Sequence, residues 1–223
     1  MSLLETVEQT TGPEPRATVI WLHGLGADGH DFEPVVPELR LAGGPDLRFV
    51  FPHAPVRPVT INLGMPMRAW YDIMTFDSGP PRDRAGIEAS AAAVRDLIAR
   101  ELDRGIPAER IVLAGFSQGG AIALYTGLRY EQRLAGIMGL STYLILSEPL
   151  SDERAQANAA TPMFVAHGSE DPVVPFLAGE RTVARLTELG YAVEWHSYAM
   201  PHAVCPQEIA DVRQWLATCL VEP

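Results

Sequence analysis

The chain has 223 residues, of which 47% are hydrophobic and 20% are charged, and its formal net charge is −11 at pH 7. This composition fits a globular protein with one sizeable core, and the acidic excess argues against a nucleic-acid partner, which would require a concentrated positive patch. The two cysteines, Cys205 and Cys219, are too few for a disulfide framework and match no zinc spacing.

The first ten residues, MSLLETVEQT, lack the basic region followed by a long apolar one that marks a secretory signal. No apolar run in the chain approaches the ~20 residues that a membrane span needs. The sequence therefore predicts a cytoplasmic protein without a membrane span. Residues 3–10 are interpreted as an antiparallel edge strand.

Short apolar runs alternate with amphipathic ones along the rest of the chain. Apolar runs rich in β-branched residues predict strands, and apolar residues at three- and four-residue spacing predict helices. This alternation predicts an α/β fold, a mostly parallel sheet with helices on both faces, in a single domain over 1–223 without a large lid. The predicted strands are 17–22, 47–52, 110–116, 134–141, 161–168 and 191–199, and the predicted helices are 86–104, 177–189, 207–220 and one that begins at Gln118.

The stretch WLHGLGADGH, residues 21–30, contains G-x-G-x-x-G directly after a predicted strand, which is the setting of a dinucleotide-binding turn. That turn requires a helix right after the third glycine and an acidic residue at the end of the second strand. Here Pro34 and Pro37 delay and shorten any helix, and the second strand runs into His53 with no acidic residue nearby. The sequence therefore favours a loop that serves another anion, and it predicts no cofactor.

The stretch GFSQG, residues 115–119, is a G-x-S-x-G motif between a predicted strand and a small-residue helix. This context is typical of a nucleophile elbow, in which a sharp turn presents the serine at a helix N-terminus. Ser117 is therefore the candidate nucleophile. The alternative is an ordinary strand–helix turn with a capping serine.

A serine nucleophile needs a histidine base, which on this fold follows the serine and the acid in the chain. Three histidines follow Ser117. His196 lies within an alternating strand and is interpreted as structural, and His167 precedes the acid, so it is out of order. His202 lies in the loop between the last strand and the last helix, and we predict that it is the base.

The acid of such a triad is expected just after a strand. The segment HGSEDPVVP places Asp171 there, before Pro172, whose fixed turn can present the carboxylate inward. Glu170 is the rival candidate and Asp152 a weaker one.

The glycine loop near the N-terminus then has a second interpretation. Hydrolases of this kind stabilise the reacting oxyanion with the amide after the nucleophile and with an amide from the loop after an earlier strand. The corresponding residues here are Gln118 and Leu25. Gly24 and Gly26 would allow the backbone of that loop to approach the site closely.

Six segments together resemble one known family. LHGLGADGHDF, FPHAPVRPVT, WYDI, GIPAERIVLAGFSQGGAIALYTGL, HGSEDPVVP and HAVCPQE are similar to the carboxylesterase/acyl-protein thioesterase family, also called the phospholipase/carboxylesterase family. The resemblance runs from about Val19 to Trp215 and implies an α/β-hydrolase fold. One departure is Pro201, where many relatives have glycine.

The resemblance also implies the site and its chemistry. It implies Ser117 as nucleophile, Asp171 as acid, His202 as base, and the Leu25 and Gln118 amides as oxyanion donors. It further implies a cofactor-free, cytosolic enzyme that forms a homodimer, and no metal is expected. Two segments, 53–82 and 142–160, have no predicted helix or strand and carry apolar and aromatic residues that could line a substrate pocket. The candidate substrate-binding residues come from these segments or follow the acid: Leu63, Met65, Trp70, Tyr71, Tyr143, Leu144, Leu146 and Val173.

We therefore expect a serine carboxylesterase that hydrolyses short- to medium-chain acyl esters through an acyl-enzyme. The alternative within the enzymes is an acyl-protein thioesterase or lysophospholipase with the same triad. The alternative from another class is a binding protein on an inactive hydrolase scaffold.

Overall fold

The computed structural model describes residues 3–74 and 83–221, in which seven strands form one central sheet. The seven strands are β1 (Thr6–Thr10), β2 (Pro15–Leu22), β3 (Asp46–Pro52), β6 (Ile111–Phe116), β7 (Gly136–Leu140), β8 (Met163–Gly168) and β9 (Val193–Tyr198), and β4 (Val56–Val59) and β5 (Met65–Arg68) form a separate pair. The helices are α1 (Arg84–Asp103), α2 (Gln118–Leu128), α3 (Leu150–Glu153), α4 (Phe176–Glu188) and α5 (Pro206–Leu220).

The sheet has the order β1-β3-β2-β6-β7-β8-β9. Only β1 is antiparallel, pairing with β3, and every other pair is parallel. The carboxyl ends of six strands therefore lie along one edge of the sheet. The α/β interpretation and the antiparallel edge strand are confirmed.

Two apolar layers cover the sheet, because side chains alternate between its faces along each strand. On β2, Ile20 and Leu22 pack into the layer formed with α1, α2 and α4. Val19 and Trp21 point to the other layer, which contains α5 and the 3-10 helix Glu33–Leu39. Since both faces are covered, the central strands read as continuous apolar runs.

The two segments without a predicted assignment contain short elements. Residues 53–82 include the β4–β5 hairpin, a separate two-stranded sheet, and the part at 75–82 lies outside the described residues. Residues 142–160 include α3 and a 3-10 turn at Gln156–Asn158. No helix within the described residues is long and apolar enough to cross a membrane.

A buried ion cluster ties the end of α1 to the sheet, away from the carboxyl ends of the strands. The carboxylate of Glu101 is fully buried. It accepts hydrogen bonds of 2.9 Å from Thr18, Arg48 and Arg104, and Arg100 lies 3.3 Å away. These partners compensate the desolvation of the carboxylate.

Candidate active site

Three predicted site residues follow three strands of the sheet at their carboxyl ends. Ser117 follows β6, Asp171 lies three residues after β8, and His202 lies four residues after β9. Because these strands are parallel, the three residues meet at one edge of the sheet, where open α/β sheets bind ligands.

Ser117 occupies a sharp turn between β6 and α2. Its backbone has φ 53° and ψ −121°, a region that non-glycine residues enter only under strain. Its amide donates to the Leu140 carbonyl at 2.8 Å, and its carbonyl accepts from the Thr142 hydroxyl at 2.6 Å and the Ala121 amide at 3.1 Å. These hydrogen bonds stabilise the strained backbone of Ser117, the residue directly before α2.

The turn depends on two glycines. A Cβ on Gly115 would lie 2.4 Å from the Gly119 backbone, and a Cβ on Gly119 would lie 2.4 Å from the carbonyl oxygens of Leu22 and His23. No side chain fits at either position without moving the backbone. The G-x-S-x-G spacing thus reflects contact between the turn and the neighbouring strand β2.

Asp171 and His202 form a short hydrogen bond. Nδ1 of His202 lies 2.6 Å from Oδ2 of Asp171. The other oxygen, Oδ1, accepts from the backbone amides of Val173 at 2.8 Å and Val174 at 2.9 Å. With a carboxylate acceptor at Nδ1, that nitrogen carries the proton, and Nε2 of His202 is left as the basic nitrogen.

The His202 ring lies over the strand that leads to Ser117. Its centroid is 4.7 Å from the ring centroid of Phe116, the residue before Ser117. Within the described residues, neither the Ser117 hydroxyl nor Nε2 of His202 has a hydrogen-bond partner, and the two groups are not hydrogen-bonded to each other. Both groups are therefore available for proton transfer, and such contacts are often long in a substrate-free site.

The glycine loop after β2 lies beside this serine. A Cβ on Gly24 would be 3.3 Å from the Phe116 ring and 3.5 Å from Cβ of Ser117. The Gly26 amide donates to the Arg68 carbonyl at 2.9 Å, whereas the Leu25 amide has no acceptor in the described part of the chain. The Gln118 amide opens α2, where helix geometry leaves N–H groups without acceptors. These two amides can bind an anion.

His23 fixes the start of this loop. Its Nε2 accepts from the Ala54 amide at 3.0 Å, so Nδ1 carries the proton and donates to the Gly24 carbonyl at 2.7 Å. Burial lowers the pKa of His23 to about 4, which keeps the ring neutral. The sequence analysis did not identify this role, although His23 directly precedes the first glycine of the loop.

The side chain of Gln118 bridges the turn to the segment after β5. Its Oε1 accepts from the Trp70 amide and its Nε2 donates to the Tyr71 carbonyl, both at 2.8 Å. The Trp70 indole donates to the His23 carbonyl at 2.9 Å. The sequence predicts a role only for the backbone of Gln118, but its side chain joins the nucleophile turn to the segment at 69–72, and Trp70 in that segment bonds the residue before the glycine loop.

The predicted substrate-binding residues lie in different environments. Trp70 and Tyr71 are buried in the core layer, where the Tyr71 and Tyr143 hydroxyls share a hydrogen bond of 2.6 Å. The Leu144 amide bonds Thr182 on α4 at 2.9 Å. Leu144 and Leu146 are half-buried, whereas Leu63, Met65 and Val173 are exposed.

The rival candidates lie elsewhere. Glu170 is exposed beside Asp171, and Asp152 is exposed on α3. His196 lies on β9 and stacks against Phe164 with ring centroids 5.0 Å apart. Cys205 is the residue that precedes α5.

The described residues contain no cluster of three or more histidine, cysteine or acidic side chains that could hold a metal ion.

Comparison with known proteins gives one family and several relatives. Residues 4–220 match the family described as Phospholipase/Carboxylesterase. The chain is 44% identical over 209 residues to acyl-protein thioesterase 1 of Neurospora crassa, covering 90% of this chain and 85% of that protein.

Two solved plant structures have the same fold. Arabidopsis thaliana SOBER1 is 30% identical with a TM-score of 0.85, covering 92% of this chain and 99% of that one. Acyl-protein thioesterase 2 of Zea mays is 30% identical with a TM-score of 0.83, covering 96% and 98%.

Proposed function

The chain belongs to the phospholipase/carboxylesterase family of hydrolases, and we propose that it is a serine thioesterase that removes acyl groups from acylated proteins. The observation that carries the catalytic part is the Asp171–His202 hydrogen bond of 2.6 Å at the strand edge where Ser117 stands in a strained turn. The substrate class comes from the relatives named as acyl-protein thioesterases. It replaces the short- to medium-chain acyl ester that the sequence alone favours.

The first half-reaction forms an acyl-enzyme. Ser117 Oγ attacks the carbonyl carbon of the thioester while Nε2 of His202 takes the hydroxyl proton. Asp171 fixes the tautomer of His202 and stabilises the imidazolium, and the amides of Leu25 and Gln118 bind the oxyanion. When the intermediate collapses, the carbon–sulfur bond breaks, and the thiol leaves with the proton from His202.

The second half-reaction regenerates the enzyme. His202 takes a proton from water, whose oxygen attacks the acyl carbon. The ester bond to Ser117 breaks, and His202 returns the proton to Oγ. The products are a carboxylic acid and a free thiol, and these steps require no cofactor.

The Ser117→Ala variant tests the catalytic assignment. We expect it to fold normally and to lose thioester turnover by a factor of more than about 10³, since the nucleophile is absent. Ser141→Ala is the matched control, because Ser141 also follows a parallel strand, is buried and has positive φ. Near wild-type turnover by Ser117→Ala would refute the assignment.

A fluorophosphonate probe separates an enzyme from an inactive binding protein. The probe reacts with an activated serine and should label wild-type Ser117 but not Ser117→Ala. If the wild-type protein stays unlabelled, the inactive-scaffold hypothesis is favoured.

Oxyester hydrolysis is the second candidate function, because the family description includes carboxylesterases. The same triad cleaves both bonds, so substrate reach decides between them. A rate panel should compare matched thioesters and oxyesters of two to sixteen acyl carbons with an acylated peptide. A higher kcat/KM for the long-chain peptide thioester supports the main proposal, and a preference for short oxyesters supports the second.

A further inference from the structure

Asp171 contacts two histidines. Its Oδ2 lies 2.6 Å from Nδ1 of His202 and 3.4 Å from Nε2 of His167. His167, at the end of β8, is fully buried. The position of His167 in the chain argues against it as the base, and the proposed reaction makes no use of it.

The surroundings of His167 fix its tautomer and its charge. Nε2 lies 2.9 Å from the Val174 carbonyl, an obligate acceptor, so Nε2 carries the proton. Nδ1 has no hydrogen-bond partner in the described part of the chain, and a Cβ on Gly179 of α4 would lie 2.7 Å from it. Asp171 and His202 are the titratable groups beside the ring, and burial lowers its pKa. His167 is therefore a neutral donor whose N–H binds the Val174 carbonyl and lies close to Oδ2 of Asp171.

Val174 completes a closed arrangement. Its carbonyl accepts from His167, and its amide donates to Oδ1 of Asp171. Oδ1 of the Asp171 carboxylate thus accepts hydrogen bonds from two backbone amides. Oδ2 accepts a hydrogen bond from His202 and lies within 3.4 Å of Nε2 of His167. His167 constrains the carboxylate directly and through the loop that holds its other oxygen.

We propose that His167 is a positioning residue that fixes the Asp171 carboxylate and limits the negative charge that it presents to His202. This inference rests on the proposed serine-hydrolase function. His167 does not touch the substrate; it acts through the acid that orients the base.

Two substitutions separate the donor from the bulk of the ring. His167→Gln keeps an N–H near the position of Nε2, whereas His167→Leu removes it. His196→Leu is the control, because it removes a second histidine, which is half-buried and stacked on Phe164, from the neighbouring strand. Each variant is checked for folding by circular dichroism and thermal unfolding before kinetics.

We expect His167→Leu to lower kcat roughly 10- to 100-fold with KM changed less than about twofold, because the hydrogen bond that holds the Val174 carbonyl and the 3.4 Å contact with the Asp171 carboxylate are both lost. The acidic limb of its kcat/KM profile should move to higher pH, since a less stabilised carboxylate makes His202 more basic. His167→Gln should recover most of both quantities. Wild-type kcat and pH profile in folded His167→Leu would overturn the proposal, as would His167→Gln behaving like His167→Leu.

An NMR titration of His202 distinguishes this inference from the proposed function, because it needs no turnover. A higher His202 pKa in His167→Leu than in the wild-type protein supports the positioning role of His167. Failure of the wild-type protein to cleave either a thioester or an oxyester refutes the proposed function but leaves this titration result valid. If His167→Leu does not fold, Gly179→Ala takes its place, because the added Cβ displaces the His167 ring. Gly127→Ala is then the control, because it causes similar crowding in α2, away from His167. Unchanged His202 titration in Gly179→Ala alongside Gly127→Ala would then overturn the proposal.

Discussion

Glu208 offers a stability test that is independent of catalysis. It is the third residue of α5 and fully buried, and neither carboxylate oxygen has a hydrogen-bond partner among the residues that the structure describes. Burial, together with the nearby charge of Asp211, raises the pKa of Glu208 from 4.5 to about 8. The backbone of Cys205 lies near the carboxylate and lowers this pKa by a smaller amount. The folded protein therefore holds a proton that the unfolded chain releases above pH 4.5.

This difference makes the free energy of unfolding fall as pH rises from 4.5 to 8. With 1.36 kcal/mol per pKa unit, the shift costs about 4 kcal/mol at pH 8 and about 1 kcal/mol at pH 5. Glutamine has nearly the same shape and does not titrate. We therefore expect Glu208→Gln to gain about 3 kcal/mol over the wild-type protein between pH 5 and pH 8.

Urea unfolding at pH 5, 6, 7 and 8, followed by tryptophan fluorescence, measures this gain. Glu180→Gln on α4 is the control, because Glu180 is exposed and its substitution should leave the pH dependence unchanged. If the curves of Glu208→Gln and the wild-type protein run parallel over this range, Glu208 is not a protonated buried acid and the reasoning fails.

Three further predictions concern the network around the site and the core. Protonation of His23 in the unfolded chain but not in the folded protein should remove up to about 3 kcal/mol from the free energy of unfolding as the pH falls from 6.5 towards 4, in opposition to the gain from Glu208; urea unfolding at a series of pH values should show that acidification is more favourable to the stability of His23→Gln than to that of the wild-type protein. Gln118→Glu loses the donor to the Tyr71 carbonyl and should lower kcat about tenfold, measured with a short thioester; an unchanged kcat would contradict this. Glu101→Gln should cost about 3 kcal/mol in thermal unfolding and leave kcat intact, since Arg48, Arg100 and Arg104 lose their fully buried charged partner; a loss of kcat would show that the cluster is not separate from the site.

The strands of the central sheet could be predicted because burial on both faces gives uninterrupted apolar runs. The β4–β5 hairpin could not, since most of its residues are exposed or half-buried and Pro58 pairs with Pro66. Proline lacks the amide that strand pairing uses, so neither the apolar pattern nor the composition indicates a strand there.

The candidate triad could be located from sequence because its three members follow strands in a fixed order, and parallel strands bring their ends together. The residues that support the triad could not be found in that way. His23 contacts a residue 31 positions away, and Gln118 contacts residues 47 and 48 positions away. His167 is close to Asp171 in sequence, but its chain order suits neither role in the triad, and only the fold shows the carbonyl that it binds.

Gln118 has a practical consequence for anyone who redesigns this protein. The backbone N–H of Gln118 is a proposed oxyanion donor, and the side-chain amide of the same residue is hydrogen-bonded to the backbone of Trp70 and Tyr71. Altering acyl selectivity through that segment would therefore disturb the rate of the chemical step as well. Selection for new specificity should start from Leu63 and Met65 in the β4–β5 hairpin. Both side chains are exposed, so substitutions there leave the Gln118 side-chain hydrogen bonds in place.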